Sequence, residues 1–339
     1  MTTPTVYRAT RASRVAMIVA VLALIVLAAA PWWAGRADLR LMGEIFLYLS
    51  LACLWNLMAG YAGLVSVGQQ AFVGFGGYML FALTIFGGLH PITAILVAGM
   101  LAAVLSVPIA ALIFRLKGAY FAIGTWVVAE VFRLTFAQIS ALGGGSGSSL
   151  PVGIVRSLAD GRSAREALSY WLALGAAILV ITAVYLFLRS RRGLALTAIR
   201  DSEVAASGLG IDIWRTKLEV YVVTSAFTAI IGGLLFLQKL RISPDAAFSV
   251  NDWTAFVIFI VVIGGIGTLE GPIIGTLLFF LLRETLADFG TIYLMVLGAV
   301  AIVVMLKAPK GVWGLIRDRY DLELFLLSYR IKLNDPKDT

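Results

Sequence analysis

Ten long apolar runs constrain this chain more than any other feature of its sequence. A helix needs about 20 apolar residues to cross a bilayer, and only 14% of the 339 residues are charged, against about 25% in soluble domains. We therefore predict an all-α polytopic membrane protein with about ten transmembrane segments. They lie approximately at 15–34, 41–59, 63–87, 92–114, 119–139, 169–188, 218–238, 252–268, 270–288 and 290–307.

The distribution of Lys and Arg residues predicts the orientation of the chain. With ten crossings, 18 of the 27 basic residues fall on the side that holds both termini, and 8 fall on the opposite side. Cytoplasmic loops carry the excess of basic residues, so both termini are predicted to be cytoplasmic. The predicted regions are an N-terminal arm (1–14), a transmembrane domain (15–307) and a cytoplasmic tail (308–339). The net charge of +8 comes from these scattered loops, so we expect no nucleic acid partner.

The ten segments divide into two halves of five, which would have opposite orientations in the membrane. The third segment of each half, 63–87 and 252–268, contains glycines that interrupt an apolar run. A matched pair of this kind is typical of transporters built from inverted repeats, and it lies near their midplane pathway. We find no residue-level similarity between the halves, so the inverted repeat is a hypothesis.

One polar segment, 189–217, interrupts the apolar pattern and falls on the cytoplasmic side. Small and apolar residues recur in it at helical spacing among six Lys and Arg residues. Asp201 or Ser202 is suited to cap a second short helix, with Glu203 in its first turn and a glycine at its end. A short helix held at the membrane surface by an integral protein is a natural docking element for a soluble partner.

The third predicted span combines glycines with polar side chains. Glycines let helices approach closely, and they permit an unwound stretch whose backbone faces a cavity. The amides could bind a ligand or hydrogen-bond a neighbouring helix, so the cluster indicates either a substrate pathway or helix packing. The candidate residues are Ser66, Gln69, Gln70, Gly74 and Gly76.

The fifth predicted span carries charge. Glu130 and Arg133 lie three residues apart on one helical face, and an isolated charge inside a bilayer is costly. The two residues therefore either form an ion pair that locks helices together or line a substrate path. Tyr120 and Thr125 on the same helix belong to the same candidate pathway.

The stretch 263–275 contains a break between two apolar runs. Its glycines and its proline interrupt a helix and predict a tight cytoplasmic turn or a re-entrant corner. The residues concerned are Gly264, Gly265, Gly267, Gly271 and Pro272.

Neither catalytic nor nucleotide-binding patterns occur in the sequence. His90 is the only histidine, which leaves no histidine-centred metal site or catalytic triad to assemble. The glycine-rich stretches lack the Lys-Ser/Thr of a phosphate-binding loop. We therefore expect no enzyme activity, no metal and no cofactor in this chain.

Four motifs together resemble the LivM-type permease subunits of bacterial branched-chain amino acid ABC transporters. They are NLMAGYAG from Asn56, LKGAYFAI from Leu116, SRRGLALTAIRDSEVAA from Ser190 and GGIGTLEGP from Gly264. The resemblance extends from about Asn56 to Gly314. It implies a pore-forming permease subunit of an ABC importer in the bacterial plasma (inner) membrane, which moves branched-chain or other apolar amino acids into the cytoplasm.

The resemblance also implies partners. These are a second related permease subunit in a heterodimer, two cytoplasmic ATPase subunits that bind the ATP, and an extracytoplasmic substrate-binding protein, all in a lipid membrane. Segment 189–217 would be the coupling loop between the permease and the ATPases. The implied coupling residues are Arg192, Arg200, Glu203, Ala206, Gly210 and Ile211.

The sequence departs from the family at one position that bears on the substrate. This chain reads Gly68-Gln69-Gln70-Ala71-Phe72 where family members frequently carry Gly-His-Ala-Ala-Phe. A urea or short-amide permease of the same superfamily is therefore an alternative. In another class, an ion-coupled secondary transporter would need ionisable groups at the midplane, where only Glu130 and Arg133 qualify.

Overall fold

The computed structural model describes residues 5–7, 11–159, 161–286, 292–308, 310–320 and 330–332. The helices are α1 (Arg11–Ala28), α2 (Ala30–Trp33), α3 (Arg36–Asn56), α4 (Gln69–Ile85), α5 (Pro91–Ile113), α6 (Ala119–Ala137), α7 (Val152–Arg156), α8 (Arg162–Arg189), α9 (Arg191–Asp201), α10 (Glu203–Gly208), α11 (Ile213–Lys239), α12 (Pro244–Ala247), α13 (Phe256–Gly264), α14 (Glu270–Leu286), α15 (Ile292–Lys307) and α16 (Gly311–Tyr320).

Strands are short in the described part of the chain. β1 (Thr5–Tyr7) pairs antiparallel with β4 (Arg330–Lys332). β2 (Ser148–Ser149) pairs antiparallel with β3 (Arg241–Ile242), which joins the glycine-rich loop after α6 to the end of α11. The fold is therefore an assembly of helices, as the apolar runs predict.

Seven of the described helices are long and apolar enough to cross a membrane. They are Arg36–Tyr61, Pro91–Ile113, Ala119–Ala137, Arg162–Arg189, Ile213–Lys239, Pro244–Gly264 and Leu294–Arg319. The polytopic helical architecture is thus confirmed, and each of the ten predicted segments overlaps a described helix. The third and ninth segments form the shorter helices α4 and α14, of 17 residues each. Ten crossings and cytoplasmic termini stay predictions.

Two predicted regions lie partly outside the described residues. The predicted arm, 1–14, is described only at 5–7 and 11–14, and the predicted tail, 308–339, only at 308, 310–320 and 330–332.

The helices pack in a pattern centred on α3 and α11. Helix α11 contacts α4 and α5, while α3 contacts α13 and α14. Helix α4 contacts α5 and α6, while α13 contacts α14 and α15. In addition, α8 packs along α3, and α3 and α11 contact each other. The two central helices are the most deeply buried of the candidate spans, at 72% each.

Glycines bring α4 and α11 together until their backbones touch. A Cβ at Gly76 would lie 1.9 Å from the carbonyl oxygen of Ala229, and one at Gly232 would lie 2.1 Å from that of Val73. Small residues permit such close approach between membrane helices. These glycines therefore serve packing within a continuous helix.

The expected interruption of segment 63–87 lies before α4 and not within it. Helix α3 ends in a π-helical turn, Leu57–Tyr61, and residues 63–68 are not helical before α4 begins at Gln69. Gly63 has a φ of +68°, which favours glycine. In segment 252–268 the break follows the helix, because Gly265 and Gly267 have φ angles of +132° and +75°. The two interruptions are therefore not equivalent in position.

Candidate functional site

The predicted coupling segment folds as two short helices, α9 and α10. Ser190 caps α9 and Ser202 caps α10; each hydroxyl accepts a hydrogen bond from the backbone N–H three residues on, at 3.4 and 3.2 Å. The sequence left Asp201 and Ser202 as alternatives for the second cap, and the structure selects Ser202. Glu203 lies in the first turn of α10, as predicted, where a carboxylate interacts favourably with the helix dipole.

Two ion pairs hold the coupling segment against the start of α11. Lys217 lies 2.5 Å from Glu203, and Arg192 lies 2.8 Å from Glu219. The hydrogen bond from Lys217 lowers the pKa of Glu203 below its usual value. The stabilisation from this pair is therefore present at neutral pH, and it is lost as the pH falls through that lowered pKa.

Helix α10 turns apolar side chains away from the protein. Val204 is 86% exposed and Leu209 is 79% exposed, whereas Ala206 is buried against the fold. Exposed large apolar residues on a short polar helix suit it to contact another protein. The sequence reading missed Val204 and Leu209, although their place between charged residues was a usable signal.

A hydrogen-bonded junction connects the coupling segment to the transmembrane core. The Asn56 side chain donates to the carbonyl of Thr268 at 2.7 Å and accepts from the N–H of Gly267 at 2.8 Å. Arg200 donates to the carbonyl of Gly60 at 3.1 Å. We call these five residues, Asn56, Gly60, Arg200, Gly267 and Thr268, the coupling junction.

Three separate sequence motifs meet in the coupling junction. The backbones of Gly60 and Gly267 are in direct contact, because a Cβ at Gly60 would lie 2.6 Å from the Gly267 nitrogen. Arg200 comes from the coupling segment, and its guanidinium lies beside the same glycine turn. Arg200 therefore joins α9 to the end of α3, beside the turn that precedes α14.

The predicted break at 264–272 is the turn that receives these contacts. Residues 265–269 lie between α13 and α14. A Cβ at Gly264 would lie 1.9 Å from the Gly271 carbonyl, and a Cβ at Gly271 would lie 2.1 Å from the Gly265 carbonyl. Pro272 stands in the first turn of α14, where its missing N–H costs little. The predicted break is therefore a turn between two helices, and its cytoplasmic location stays a prediction.

The paired glutamines lie at the buried N-terminus of α4. Gln69 donates to the carbonyl of Leu51 at 3.1 Å, and Gln70 accepts a hydrogen bond from the Thr254 hydroxyl. One polar atom of each amide, Oε1 of Gln69 and Nε2 of Gln70, is buried without a hydrogen-bond partner among the described residues. Buried polar atoms are normally paired, so these two atoms are available to a ligand or a water molecule.

A small polar cavity adjoins Gln69. Its volume is about 10 Å³, which is near the lower limit for one water molecule. Ser66 and Gln69 line one side and hydroxyl residues of α11 line the other. The sequence reading missed these α11 residues, although hydroxyls spaced along an apolar span were visible. They are Thr224, Ser225 and Thr228.

The remaining pathway candidates divide between packing and exposed positions. Gly74 accommodates the Phe248 ring, and Gly76 contacts the backbone of α11. Thr125 accepts from the N–H of Val67 at 3.0 Å, so it ties α6 to the stretch that precedes α4. Tyr120 is 73% exposed and lies apart from this group.

Glu130 and Arg133 form the ion pair that the sequence offered as one of two interpretations. Arg133 reaches Glu130 at 2.6 Å and also Asp245 of α12 at 2.8 Å. The cluster therefore joins α6 to α12, and Glu130 does not contact Gln69 or Gln70 in the described structure. A role for it in the pathway stays a prediction.

The chain matches the family described as "Branched-chain amino acid transport system / permease component" over residues 39–305. The high-affinity branched-chain amino acid transport system permease protein LivM of Escherichia coli (strain K12) is 29% identical over 324 residues, which cover 89% of this chain and 76% of that protein.

More distant relatives also match. The probable branched-chain amino acid transport permease protein LivM of Methanocaldococcus jannaschii is 26% identical over 71% of this chain and 78% of its own length. The probable LivH permease protein of the same organism is 27% identical over 40% of this chain and 45% of its own length. No solved structure matches the chain.

Proposed function

Because the chain belongs to the family of permease components of branched-chain amino acid transport systems, we propose that it is the pore-forming subunit of an ABC importer for branched-chain or other apolar amino acids. The family match over residues 39–305 carries this proposal. The names of the LivM relatives supply the substrate class. The chain itself is a membrane transport subunit and not an enzyme.

The proposed assembly contains other chains. A second related permease would complete the pore as a heterodimer, which is supported by the similarity to proteins named LivM and LivH in one organism. Two cytoplasmic ATPase subunits would bind the ATP, so no cofactor is proposed for this chain. An extracytoplasmic binding protein would deliver the amino acid. The complex would lie in a bacterial inner membrane, with both termini of this chain in the cytoplasm.

The coupling segment would transmit the ATPase motion to the pore. The exposed Val204 and Leu209 of α10 are suited to enter an apolar cleft on an ATPase subunit. Arg192 and the Glu203–Lys217 pair fix this segment to α11. Arg200 links it to Gly60 in the coupling junction. ATP-driven movement of α10 would then reach the end of α3 and the turn before α14 together.

The substrate would pass beside the start of α4. Ser66, Gln69 and Gln70 provide polar groups there, and Thr224 with its neighbouring hydroxyls faces Gln69 across the small cavity. This cavity is too small for an amino acid in the described state, so transport requires α4 and α11 to separate. The turns around Gly63 and Gly265, with positive φ angles, are the places where the backbone can change direction.

A matched pair of glycine substitutions tests the coupling role. Gly210 has a φ of +81° and Gly208 lies in α10, and a Cβ would meet no other atom within 4 Å at either residue. Gly210→Ala therefore strains the backbone by about 1–2 kcal/mol, while Gly208→Ala does not. In proteoliposomes that contain the complete transporter, we expect Gly210→Ala to lower leucine-stimulated ATP hydrolysis several-fold.

The control and the contrary result are equally specific. Gly208→Ala should keep leucine uptake and its stimulation of ATP hydrolysis, and both variants should insert and assemble normally. Full coupling in Gly210→Ala would remove the proposed role of this segment. Absence of ATP-dependent leucine uptake by the unmodified complex would contradict the proposed function itself.

A further inference from the structure

A large cavity lies at the end of the protein that is opposite to the coupling segment. Helix α8 runs from this end to the coupling segment, and α11 returns from the segment to this end. The cavity has a volume of about 620 Å³ and opens between the first turns of α3 and α8 and the last turns of α11 and α14. None of the residues that the proposed function uses lines it.

Positive charge exceeds negative charge in the lining of this cavity. Five cations and two carboxylates line it: Arg40, Arg162, Arg165, Lys239, Arg283, Glu44 and Glu166. Glu44 pairs with Arg283 at 2.9 Å. Glu166 is shared between Arg40 at 2.5 Å and Arg162 at 3.4 Å, and it also lies 3.6 Å from Arg36 beside the cavity. The carboxylates are therefore already engaged by arginines.

Two cations in the cavity have no carboxylate partner among the described residues. Arg165 is half-buried and Lys239 is exposed, and neither forms an ion pair there. The ammonium of Lys239 is held 4.6 Å from the centre of the Trp253 ring. This contact restricts the side chain while leaving its charge uncompensated by an anion. A concave site with two such cations is complementary to an anionic group.

The rest of the cavity wall is apolar. Side chains of several helices and of the loop before α8 form it: Leu39, Val155, Leu158, Leu235, Leu237 and Leu240. The site thus joins a cationic rim to an apolar surface, at the ends of helices that are long enough to cross a bilayer. Phospholipid phosphates lie at this level, just outside the hydrocarbon core.

We propose that this cavity binds the head group of an anionic phospholipid. Arg165 and Lys239 contact the phosphate, Arg40 and Arg162 add positive charge at the rim, and the leucines contact the first methylene groups of the acyl chains. Basic pockets between membrane helices bind anionic head groups in this manner. The concave shape and the apolar wall favour a lipid over the flatter acidic surface of a protein partner.

Native mass spectrometry of the full-length chain in non-ionic detergent tests this proposal. We expect the chain to retain phosphatidylglycerol in preference to zwitterionic phosphatidylcholine, which carries the same phosphate without net charge. Each cation near the surface is worth roughly fivefold in affinity. The double variant Arg165→Gln, Lys239→Gln should therefore lower phosphatidylglycerol retention by roughly twenty-five-fold.

Arg156→Gln with Arg241→Gln is the matched control. These two exposed arginines lie at the same end of the protein, outside the cavity, and their replacement makes the same change of charge. The control should keep the lipid. Equal loss in both double variants would show a nonspecific charge effect and overturn the proposal. If the double variant fails to fold, Arg165→Gln alone retains the Lys239–Trp253 contact and should still lose roughly fivefold.

Two further measurements distinguish a lipid from a free anion and from a protein partner. Inorganic phosphate alone at millimolar concentration should not displace the lipid, since it lacks the apolar part; complete displacement would indicate a site for the free anion instead. Unchanged lipid retention in the Arg165→Gln, Lys239→Gln variant, together with weaker docking of the substrate-binding protein, would assign the cavity to a protein partner and overturn the lipid site.

Discussion

Asn56 shows how one side chain can join two distant parts of the chain. Its amide satisfies the carbonyl of Thr268 and the N–H of Gly267 at the same time. A carboxylate or an apolar side chain could make at most one of these bonds. The sequence placed Asn56 at the start of a motif, but its role depends on partners more than 200 residues away, which periodicity cannot reveal.

The glutamine pair on α4 illustrates the same limit. The sequence left Gln69 and Gln70 open between packing and the pathway. The structure gives each amide one helix-bridging hydrogen bond and one unpartnered atom. Their partners on other helices, and the α11 hydroxyls opposite them, follow from tertiary packing and therefore could not be read from local sequence.

Gln70→Leu distinguishes a pathway role from packing. The substitution removes the unpartnered Nε2 donor, whose burial costs about 1–3 kcal/mol, but it also removes the Oε1 that accepts from the buried Thr254 hydroxyl. The two effects oppose each other, so we expect only a small change in the thermal stability of the detergent-solubilised protein. If the amide serves the substrate, leucine uptake or its selectivity over valine should change several-fold. Gln138→Leu, at the exposed end of α6, is the control. Unchanged uptake and selectivity would assign Gln70 to packing.

At the scale of elements, local signals predicted the coupling segment well. A serine cap, an acidic first turn and a terminal glycine are local chemistry, and α10 has all three. The glycines of α4 were interpreted less well, because a glycine in an apolar run has the same local pattern whether it breaks a helix or admits a neighbouring backbone. The position of α11 makes the difference in this fold.

Gly76→Ala tests the contact between α4 and α11. The new methyl group would lie 1.9 Å from the Ala229 carbonyl, so the two helices would have to move apart. Overpacking of this kind costs about 1–3 kcal/mol or more. We expect a lower unfolding temperature in detergent. Gly175→Ala in α8, where no atom lies within 4 Å of the added Cβ, should have no such effect. Equal stability of both variants would contradict the close contact.

At the scale of the whole molecule, the helix contacts around α3 resemble those around α11. Helix α11 packs on α4 and α5, and α4 packs on α5 and α6. In the same way, α3 packs on α13 and α14, and α13 packs on α14 and α15. The packing of α8 on α3 has no equivalent in this comparison, because α1 and α11 are not among the closely packed pairs of described helices. The sequence suggested two halves from topology and from a matched pair of glycine breaks. Because these breaks are not equivalent in position, the inverted repeat stays a hypothesis.

The orientation of the whole chain can be tested with single cysteines. Cys53 is the only cysteine and it is buried, so Cys53→Ala provides a background without thiols. We expect Val204→Cys to react with an impermeant maleimide only from the cytoplasmic face, and Arg241→Cys only from the opposite face. Reaction of both cysteines from one face would contradict the predicted topology.

Arg200 links the coupling segment to the transmembrane core, so its substitution tests the coupling junction most directly. The measurement is the number of leucine molecules transported per ATP hydrolysed by the complete transporter in proteoliposomes. Arg200→Gln should retain ATP hydrolysis and lose most of the transport, because its bond to Gly60 is broken. Arg215→Gln, at a largely exposed arginine that pairs with Asp212, should keep the normal ratio. A normal ratio in Arg200→Gln would contradict the coupling junction.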